Sequence, residues 1–191
     1  MQQPPFHDGL PTRIFLLGFM GSGKSTMGPI MANAIGYDFI DLDAEIEQRH
    51  MKAITSLFNE LGEPGFRAIE TAELSRVGQG ERIVVSTGGG IVTVADNRRI
   101  IKKTGFSVYL KLSPEVLAKR LGKSTGRPML FGEDDRTLAG DALVLRIERL
   151  ISSRSEYYES ADLVVDLDSE SVGEAVDNVV RSIRASAKRS V

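Results

Sequence analysis

The sequence contains no cysteine, and its only histidines are His7 and His50. Without cysteine the chain can form neither a disulfide nor a thiolate nucleophile, and this absence fits a reducing compartment. Two histidines this far apart are too few and too scattered for a zinc site. The composition therefore excludes disulfide-stapled folds, thiolate enzymes and zinc sites built on cysteine and histidine.

The sequence also lacks a strong excess of charge and a long hydrophobic run. Its 24 Lys+Arg and 26 Asp+Glu give a formal net charge of −2, which provides no basic field for nucleic acid. No apolar stretch approaches the roughly 20 residues of a membrane span, and the first residues lack the layout of a signal peptide. We therefore expect a soluble, cytoplasmic protein that binds neither nucleic acid nor membrane.

Length and patterning predict one α/β domain. A chain of 191 residues can bury a sizeable core but is short of two typical domains. Residues 1–12, rich in proline, are expected to form a flexible arm before a single domain at 13–191. Short apolar runs alternate with helical stretches, which favours a parallel sheet covered by helices. The predicted strands are 13–17, 37–41, 82–86, 106–110 and 163–166. Helices are predicted at 54–61 and 64–77 with Gly62 as the stop between them, and the segment 137–158 is predicted to be mostly helical.

The most informative motif follows the first predicted strand. Residues 18–25 fit the pattern G-x-x-x-x-G-K-[ST] at every fixed position, and a helical stretch follows. This context predicts a P-loop, whose backbone N–H groups curl around phosphate oxygens at a helix N-terminus. Lys24 would reach the β- and γ-phosphates, and the Ser25 hydroxyl would bind Mg²⁺. The sequence therefore predicts binding of a nucleoside triphosphate.

Two carboxylates end the second predicted strand. Asp41 and Asp43 are two residues apart, so on a strand both side chains would face one space beyond its carboxyl end. Asp41 could hold Mg²⁺ through a water, and Asp43 could accept a proton from a substrate hydroxyl. The alternative is that Asp43 only caps a helix beginning at Ala44.

The third predicted strand ends without a carboxylate. It runs into Ser86 and Thr87 and then into Gly88, Gly89 and Gly90. Consecutive glycines expose backbone N–H groups to a closely approaching ligand, although a tight turn is the simpler alternative. Because no aspartate stands here, Asp41 would have to serve the metal.

Several arginines are candidates for binding anions. Arg67 and Glu70 share one helix face, either as a surface ion pair or as a guanidinium fork that Glu70 orients toward a substrate carboxylate. Arg154 lies late in the long helical stretch, where a solvated side chain is equally consistent. Arg120 directly precedes a glycine-bearing segment at 121–135, and Arg127 lies within it. We interpret this segment as a lid.

In combination these segments resemble one family, the shikimate kinases of the nucleoside-monophosphate-kinase-like P-loop group. Five stretches carry the resemblance, in this order: 18–26 (GFMGSGKST), 39–43 (FIDLD), 62–70 (GEPGFRAIE), 86–90 (STGGG) and 126–130 (GRPML). The resemblance implies a five-stranded parallel sheet of order 2-3-1-4-5 with helices on both faces and a mobile lid. It also implies transfer of the γ-phosphoryl of ATP to the 3-hydroxyl of shikimate, with Mg²⁺, on the route to chorismate and the aromatic amino acids.

The resemblance further implies a role for each matching position. The ATP-binding positions are Gly21, Ser22, Gly23, Lys24, Ser25, Thr26, Arg120 (against adenine) and Arg127 (from the lid). The substrate-binding positions are Asp43, Arg67, Glu70, Gly88, Gly89, Gly90 and Arg154. Ser25 and Asp41 match the metal positions, and Asp43, Lys24 and Arg127 the catalytic ones. After Arg154 the chain departs from the family, with Ser-Glu where an Ala-Pro or similar pair is common.

Two alternatives to this function remain at the level of sequence. The chain could be another P-loop small-molecule kinase such as a gluconate kinase, although two arginines and three glycines favour an anionic ring acid. It could also be a nucleotide-binding regulator without catalysis, although intact Lys24, Ser25, Asp41, Asp43 and Arg127 argue against such a loss. A monomer is expected from the resemblance.

Overall fold

A computed structural model describes residues 6–7, 9–122, 138–168 and 171–189. Within these residues the strands are β1 Phe6–His7, β2 Leu10–Pro11, β3 Arg13–Leu17, β4 Asp38–Asp41, β5 Ile83–Ser86, β6 Phe106–Lys111 and β7 Leu163–Asp166. The last five form one parallel sheet in the order β4-β5-β3-β6-β7. Counted among these five alone, the order is 2-3-1-4-5, which confirms the predicted topology.

The helices cover both faces of the sheet. In the described part of the chain they are α1 Lys24–Ile35, α2 Leu42–His50, α3 Ile54–Val77, α4 Ala95–Thr104, α5 Pro114–Leu121, α6 Gly140–Ser152, α7 Ser155–Glu159 and α8 Val172–Arg189, with a 3₁₀ turn at Ile91–Thr93. None of these helices combines the length and the apolar character needed to cross a membrane.

Alternating side chains of the central strand β3 supply two separate cores. Ile14 and Leu16 pack into the core beneath α1, α5, α6 and α8, whereas Phe15 and Leu17 pack into the core beneath α2, α3, α4 and α7. A strand buried on both faces is apolar at successive positions rather than at alternate ones. This burial explains why the short apolar runs in the sequence locate the strands so well.

Two helical segments test the sequence prediction. Helix α3 spans the predicted helices 54–61 and 64–77 and is kinked between them at Gly62, whose backbone is not helical (φ 66°, ψ 176°), so the predicted stop is confirmed. In contrast, the predicted long helix over 137–158 is interrupted. Helix α6 ends at Ser152, and Arg154 has φ −124° and ψ −1° before α7 begins. This break positions Arg154 for the site described below.

Part of the predicted N-terminal arm is paired. Strands β1 and β2 form an antiparallel hairpin, with Phe6 opposite Pro11 and His7 opposite Leu10. Leu10, Pro11 and Thr12 are buried, and Leu10 joins the core beneath α1 and α8. Burial of Leu10 against that core accounts for order in a segment whose prolines favour an irregular chain.

Candidate active site

The P-loop joins β3 to α1 and has the backbone that the motif predicts. Gly18, Gly21 and Gly23 have positive φ angles (148°, 79° and 97°), which glycine adopts without steric cost. The side chain of Lys24 is buried, and its Nζ donates to the carbonyls of Gly18 at 2.8 Å and Phe19 at 3.0 Å. The loop therefore wraps around its own lysine, which concentrates positive charge at the N-terminus of α1.

Beside the P-loop, a hydroxyl pair and a carboxylate meet at the ends of two strands. Ser25 Oγ lies 3.3 Å from Ser86 Oγ at the end of β5. In the parallel register Asp41 of β4 lies opposite Ser86. In the sequence Ser86 stands out only because no aspartate is present at the end of this strand. The register shows that Ser86 lies between Ser25 and Asp41.

The Ser25 hydroxyl and the Asp41 carboxylate fit Mg²⁺. They do not fit a metal that needs all of its ligands from the protein. Within the described residues no group of three or more histidine, cysteine, aspartate or glutamate side chains could hold a metal. Mg²⁺ characteristically keeps several waters and is held by one or two protein oxygens together with substrate phosphates. The Ser25 hydroxyl and the Asp41 carboxylate, next to a P-loop, offer that chemistry.

Asp41 also caps α2, and this decides between the two interpretations of Asp43. Asp41 Oδ1 accepts from the backbone N–H groups of Asp43 at 3.1 Å and Ala44 at 3.3 Å. Because β4 ends at Asp41 and α2 begins at Leu42, Asp43 lies in the first helical turn. The strand alternation expected for the two carboxylates is therefore wrong, and so is the alternative that Asp43 is the cap. The Asp43 side chain is left to face the site.

The electrostatic surroundings of Asp43 connect it to the rest of the site. Burial raises the pKa of the Asp43 carboxyl above its ordinary value, and the neighbouring Asp41 charge raises it further. The positive charges of Lys24 and Arg67 act in the opposite direction. A buried carboxylate that feels the positive charges of Lys24 and Arg67 is suited to accept a proton from a hydroxyl near them.

Arg67 and Glu70 form a buried ion pair on α3 and not a surface pair. Arg67 Nη1 donates to Glu70 Oε2 at 2.7 Å, and the two side chains are 12% and 1% exposed. Arg67 also donates to Glu63, and its guanidinium lies 5.6 Å from the ring centroid of Phe66. These contacts fix the fork in one orientation. Burial raises the pKa of Glu70, Arg67 opposes that shift, and Asp43 adds to it.

Each of the three glycines that follow β5 lies so close to a different neighbour that a side chain there would clash. A Cβ on Gly88 would lie 2.6 Å from a Glu70 oxygen, and one on Gly89 would lie 3.1 Å from the backbone nitrogen of Met20 in the P-loop. A Cβ on Gly90 would lie 2.2 Å from Arg67 Nη2. This segment, which we call the glycine turn (residues 88–90), is therefore packed between the P-loop and the charged side chains.

We expect Gly90→Ala to impair binding of the acceptor substrate selectively. Gly90 has φ −99°, which alanine adopts freely, so the effect should come from the added methyl pushing the Arg67 guanidinium away. Overpacking of this kind should raise the KM for the acceptor about five- to tenfold, with the KM for ATP unchanged. Gly173→Ala is the control because its Cβ would meet nothing within 4 Å. Steady-state kinetics with each substrate varied in turn measure both constants, and unchanged acceptor kinetics would contradict this packing role.

Arg154 reaches the same turn from the opposite side. The break between α6 and α7 leaves this residue 7% exposed, and its Nη1 donates to the Gly89 carbonyl at 3.2 Å. The solvated alternative is therefore wrong for Arg154, because the helix that would have carried it outward ends before it.

Tyr158 contacts the same carbonyl as Arg154. It is fully buried, and its hydroxyl donates to the Gly89 oxygen. Tyr158 is not among the predicted site residues, because the only signal for it in the sequence is its position four residues after Arg154.

Arg120 lies at the other end of the P-loop, in the last turn of α5. Its Nη1 donates to the Gly21 carbonyl at 3.4 Å. Arg120 borders a small cavity of about 90 Å³ that the start of α1 and the start of α8 also line. The lining residues are Ser22, Gly23, Thr26, Met27, Arg120, Leu167, Val172 and Ala175. A partly apolar cavity beside the phosphate loop, with an arginine at its edge, suits a flat nucleobase.

Most of the predicted lid lies outside the residues that the structure describes. Arg127 and nearly all of the segment 121–135 lie outside the residues that the structure describes, apart from Leu121 and Gly122. The other predicted site residues all lie around the P-loop, the end of β4, α3, the glycine turn or the break after α6.

Comparisons with known proteins point to one family. The family model for shikimate kinase matches residues 20–184. A shikimate kinase from Chlorobaculum tepidum is 45% identical over 177 residues, covering 93% of each chain. Among solved structures, shikimate kinase from Bacteroides thetaiotaomicron has a TM-score of 0.80 at 36% identity, covering 90% of this chain and 98% of its own. The shikimate kinase from Acinetobacter baumannii, solved in complex with shikimate, has a TM-score of 0.82 at 30% identity, covering 91% of this chain and 93% of its own.

Proposed function

The chain belongs to the shikimate kinase family, and we propose that the side chains gathered around its P-loop and glycine turn carry out that family's reaction. The protein transfers the γ-phosphoryl of ATP to the 3-hydroxyl of shikimate, giving ADP and shikimate 3-phosphate, on the route to chorismate and the aromatic amino acids. The observation that supports the residue assignments best is the convergence of Asp43, Glu70 and Arg67 on glycines packed against the P-loop.

In this proposal the acceptor lies over the glycine turn. Arg67 and Arg154 bind the shikimate carboxylate, because both guanidinium groups are buried, fixed and next to the turn. Glu70 holds the Arg67 fork, and the backbone of Gly88, Gly89 and Gly90 contacts the ring. Asp43 accepts a hydrogen bond from the 3-hydroxyl and takes its proton as the hydroxyl oxygen attacks the γ-phosphorus.

The donor ATP occupies the P-loop. Backbone N–H groups from Gly21 to Thr26 surround the phosphates, and Lys24 neutralises charge on the β- and γ-phosphoryl groups. Arg120 packs on the adenine at the edge of the small cavity. Arg127 reaches the transferring phosphoryl group from the lid and completes the catalytic set with Lys24 and Asp43. The bond between the γ-phosphorus and the bridging oxygen breaks as the new bond forms, leaving ADP.

Ser25 and Asp41 are the residues that would hold Mg²⁺. The Ser25 hydroxyl would bind the ion directly, and Asp41 would do so through a water. Bound by these residues, Mg²⁺ would offset the negative charge of the transferring phosphoryl group.

We expect Asp41→Asn to weaken Mg²⁺ binding at the site while keeping the fold. Asparagine caps helices as well as aspartate does, so α2 should stay capped while the charge is lost. The Mg²⁺ concentration for half-maximal activity should rise about tenfold, and the thermal midpoint should be unchanged. Asp38→Asn, an exposed change on the same strand, is the control. An unchanged Mg²⁺ titration in Asp41→Asn would remove Asp41 from the metal site.

The setting of the enzyme follows from the same family membership. We propose that it acts in the cytoplasm as a monomer, with residues 13–191 as one domain, ATP and shikimate as its ligands, and neither nucleic acid nor membrane as a partner.

The activity is tested by coupling ADP release to an optical signal, with Mg-ATP and shikimate, quinate, gluconate or no acceptor. Turnover with shikimate and none with the other acceptors is the expected result. Turnover with gluconate in place of shikimate would favour a different small-molecule kinase. ATP binding without turnover on any acceptor would favour a nucleotide-binding regulator.

A further inference from the structure

Two donors converge on one backbone carbonyl in the glycine turn. The Arg154 guanidinium and the Tyr158 hydroxyl both donate to the oxygen of Gly89. The positive charge of Arg154 acts on the Tyr158 hydroxyl and opposes the effect of burial on its pKa. A carbonyl oxygen has two lone pairs, so the two donors use the full capacity of the Gly89 oxygen.

The tyrosine ring is held firmly. Tyr158 is fully buried, and its ring stacks on Tyr109 of β6 with centroids 4.9 Å apart and planes 10° apart. Burial raises the pKa of Tyr158, so the hydroxyl stays protonated and remains a donor at neutral pH. The hydroxyl is thus fixed relative to the sheet.

Fixing the Gly89 carbonyl also fixes the amide that follows it. A trans peptide is planar, so its N–H points opposite to its C=O. The direction of the Gly89 carbonyl therefore sets the direction of the Gly90 N–H, on a residue that lies against Arg67. One phenolic hydroxyl consequently influences both an arginine and a backbone donor of the acceptor pocket.

We propose that Tyr158 is a positioning residue for the acceptor substrate, whose hydroxyl orients Arg154 and the 89–90 peptide for binding the shikimate carboxylate and ring. The inference rests on the proposed function, because that function assigns Arg154 and the glycine turn to shikimate. It extends the site to a side chain that touches no substrate.

The test compares Tyr158→Phe with Tyr157→Phe in the full-length enzyme. Phenylalanine keeps the stacked ring at 158 and removes only the hydroxyl. Tyr157 is the matched control, because it is the neighbouring tyrosine and its ring instead lies 4.0 Å from the Arg98 guanidinium. For Tyr158→Phe we expect the KM for shikimate to rise about five- to tenfold, with the KM for ATP unchanged. Tyr157→Phe should leave both constants unchanged.

A double-mutant cycle tests whether Tyr158 acts through Arg154. Arg154→Lys loses the planar fork, so adding Tyr158→Phe to it should raise the KM for shikimate by clearly less than in the wild-type background. Full multiplication of the two effects would overturn the proposal. So would a Tyr158→Phe enzyme that loses thermal stability and kcat while both KM values stay at wild-type levels, because that pattern indicates a purely structural role.

The same experiment separates this inference from the function on which it rests. Kinetics are measured well below the melting temperature of each variant, so that partial unfolding does not enter. If wild type and Tyr157→Phe phosphorylate shikimate and Tyr158→Phe behaves like them, the positioning role alone is overturned. If wild type and Tyr157→Phe bind ATP but do not phosphorylate shikimate, the proposed function is overturned and the inference with it.

Discussion

Replacing Asp43 by asparagine should lower kcat for shikimate phosphorylation by about 100-fold or more, which is the contribution typical of a positioned general base. Asparagine has nearly the same shape and can still hydrogen-bond the hydroxyl, but it cannot take the proton. Because Asp43 lies in the first turn of α2 and outside the P-loop, the KM for ATP should change little.

The same substitution should stabilise the folded protein at neutral pH. The pKa of Asp43 is raised in the folded state, so the native protein binds the proton more tightly than the unfolded chain. The stability gained from the protonated carboxyl is complete below the ordinary pKa of 3.8 and is lost as the pH rises through the higher folded pKa. At neutral pH the ionised Asp43 is therefore unfavourable, and asparagine removes that cost.

Two measurements on one variant thus move in opposite directions. Thermal melts should show a higher midpoint for Asp43→Asn than for wild type at neutral pH, with the difference shrinking in acid, while turnover falls. Asp38→Asn on the exposed edge of β4 should change neither quantity. Unchanged turnover would remove Asp43 from the mechanism, and a lower midpoint at neutral pH would make its role structural.

The sheet could be predicted from the sequence because its three central strands, β5, β3 and β6, are buried on both faces. Each predicted run of β-branched and apolar residues overlaps an observed strand, and the strands 13–17 and 163–166 have the observed bounds. The strand order, in contrast, depended on the family resemblance. Short local patterns do not state which strands are neighbours, because those pairings are made between distant parts of the chain.

The predictions that are wrong at the site concern the ends of strands and helices, where sequence patterns say little about which residue is the last one. Whether Asp43 belongs to a strand or to a helix depends on where one cap falls, and Asp41 and Asp43 are both good caps by residue type. The break at Arg154 has no proline or glycine to mark it, since Ser-Glu follows the arginine there. Tertiary contacts with Gly89 accompany that break, and these are invisible to a helix pattern.

Residues that act through others were the hardest to predict. Ser86 became informative only through the register that places it opposite Asp41, and Tyr158 only through the carbonyl it shares with Arg154. Arg67 and Glu70 were the opposite case, because their spacing on one helix face already predicted the pair. What the sequence could not predict was its burial, which decides between a surface pair and a binding fork.

Because the Arg67–Glu70 pair is buried, we expect Arg67→Lys to weaken binding of shikimate strongly. The Arg67 guanidinium donates to Glu70 from Nη1 and to Glu63 from Nε and Nη2, and the remaining two of its five N–H groups lie in the same plane for the shikimate carboxylate. A lysine presents a single ammonium, and Glu70, which is 1% exposed, will retain it because a buried carboxylate is costly to leave unpaired. Shikimate then loses a charged hydrogen-bonding partner, which should raise its KM about 10- to 100-fold.

The KM for ATP should stay within about twofold of wild type, because Arg67 does not belong to the P-loop or the adenine cavity. Arg76→Lys is the matched control: Arg76 lies on the same helix and pairs with Glu73 at the same spacing of three residues. That change should leave all kinetic constants unaltered. Equal losses for ATP and shikimate in Arg67→Lys would contradict the assignment, because they would show that the whole pocket had been disturbed. Selective loss of shikimate binding would instead assign the carboxylate to the fork that Glu70 and Gly90 hold in place.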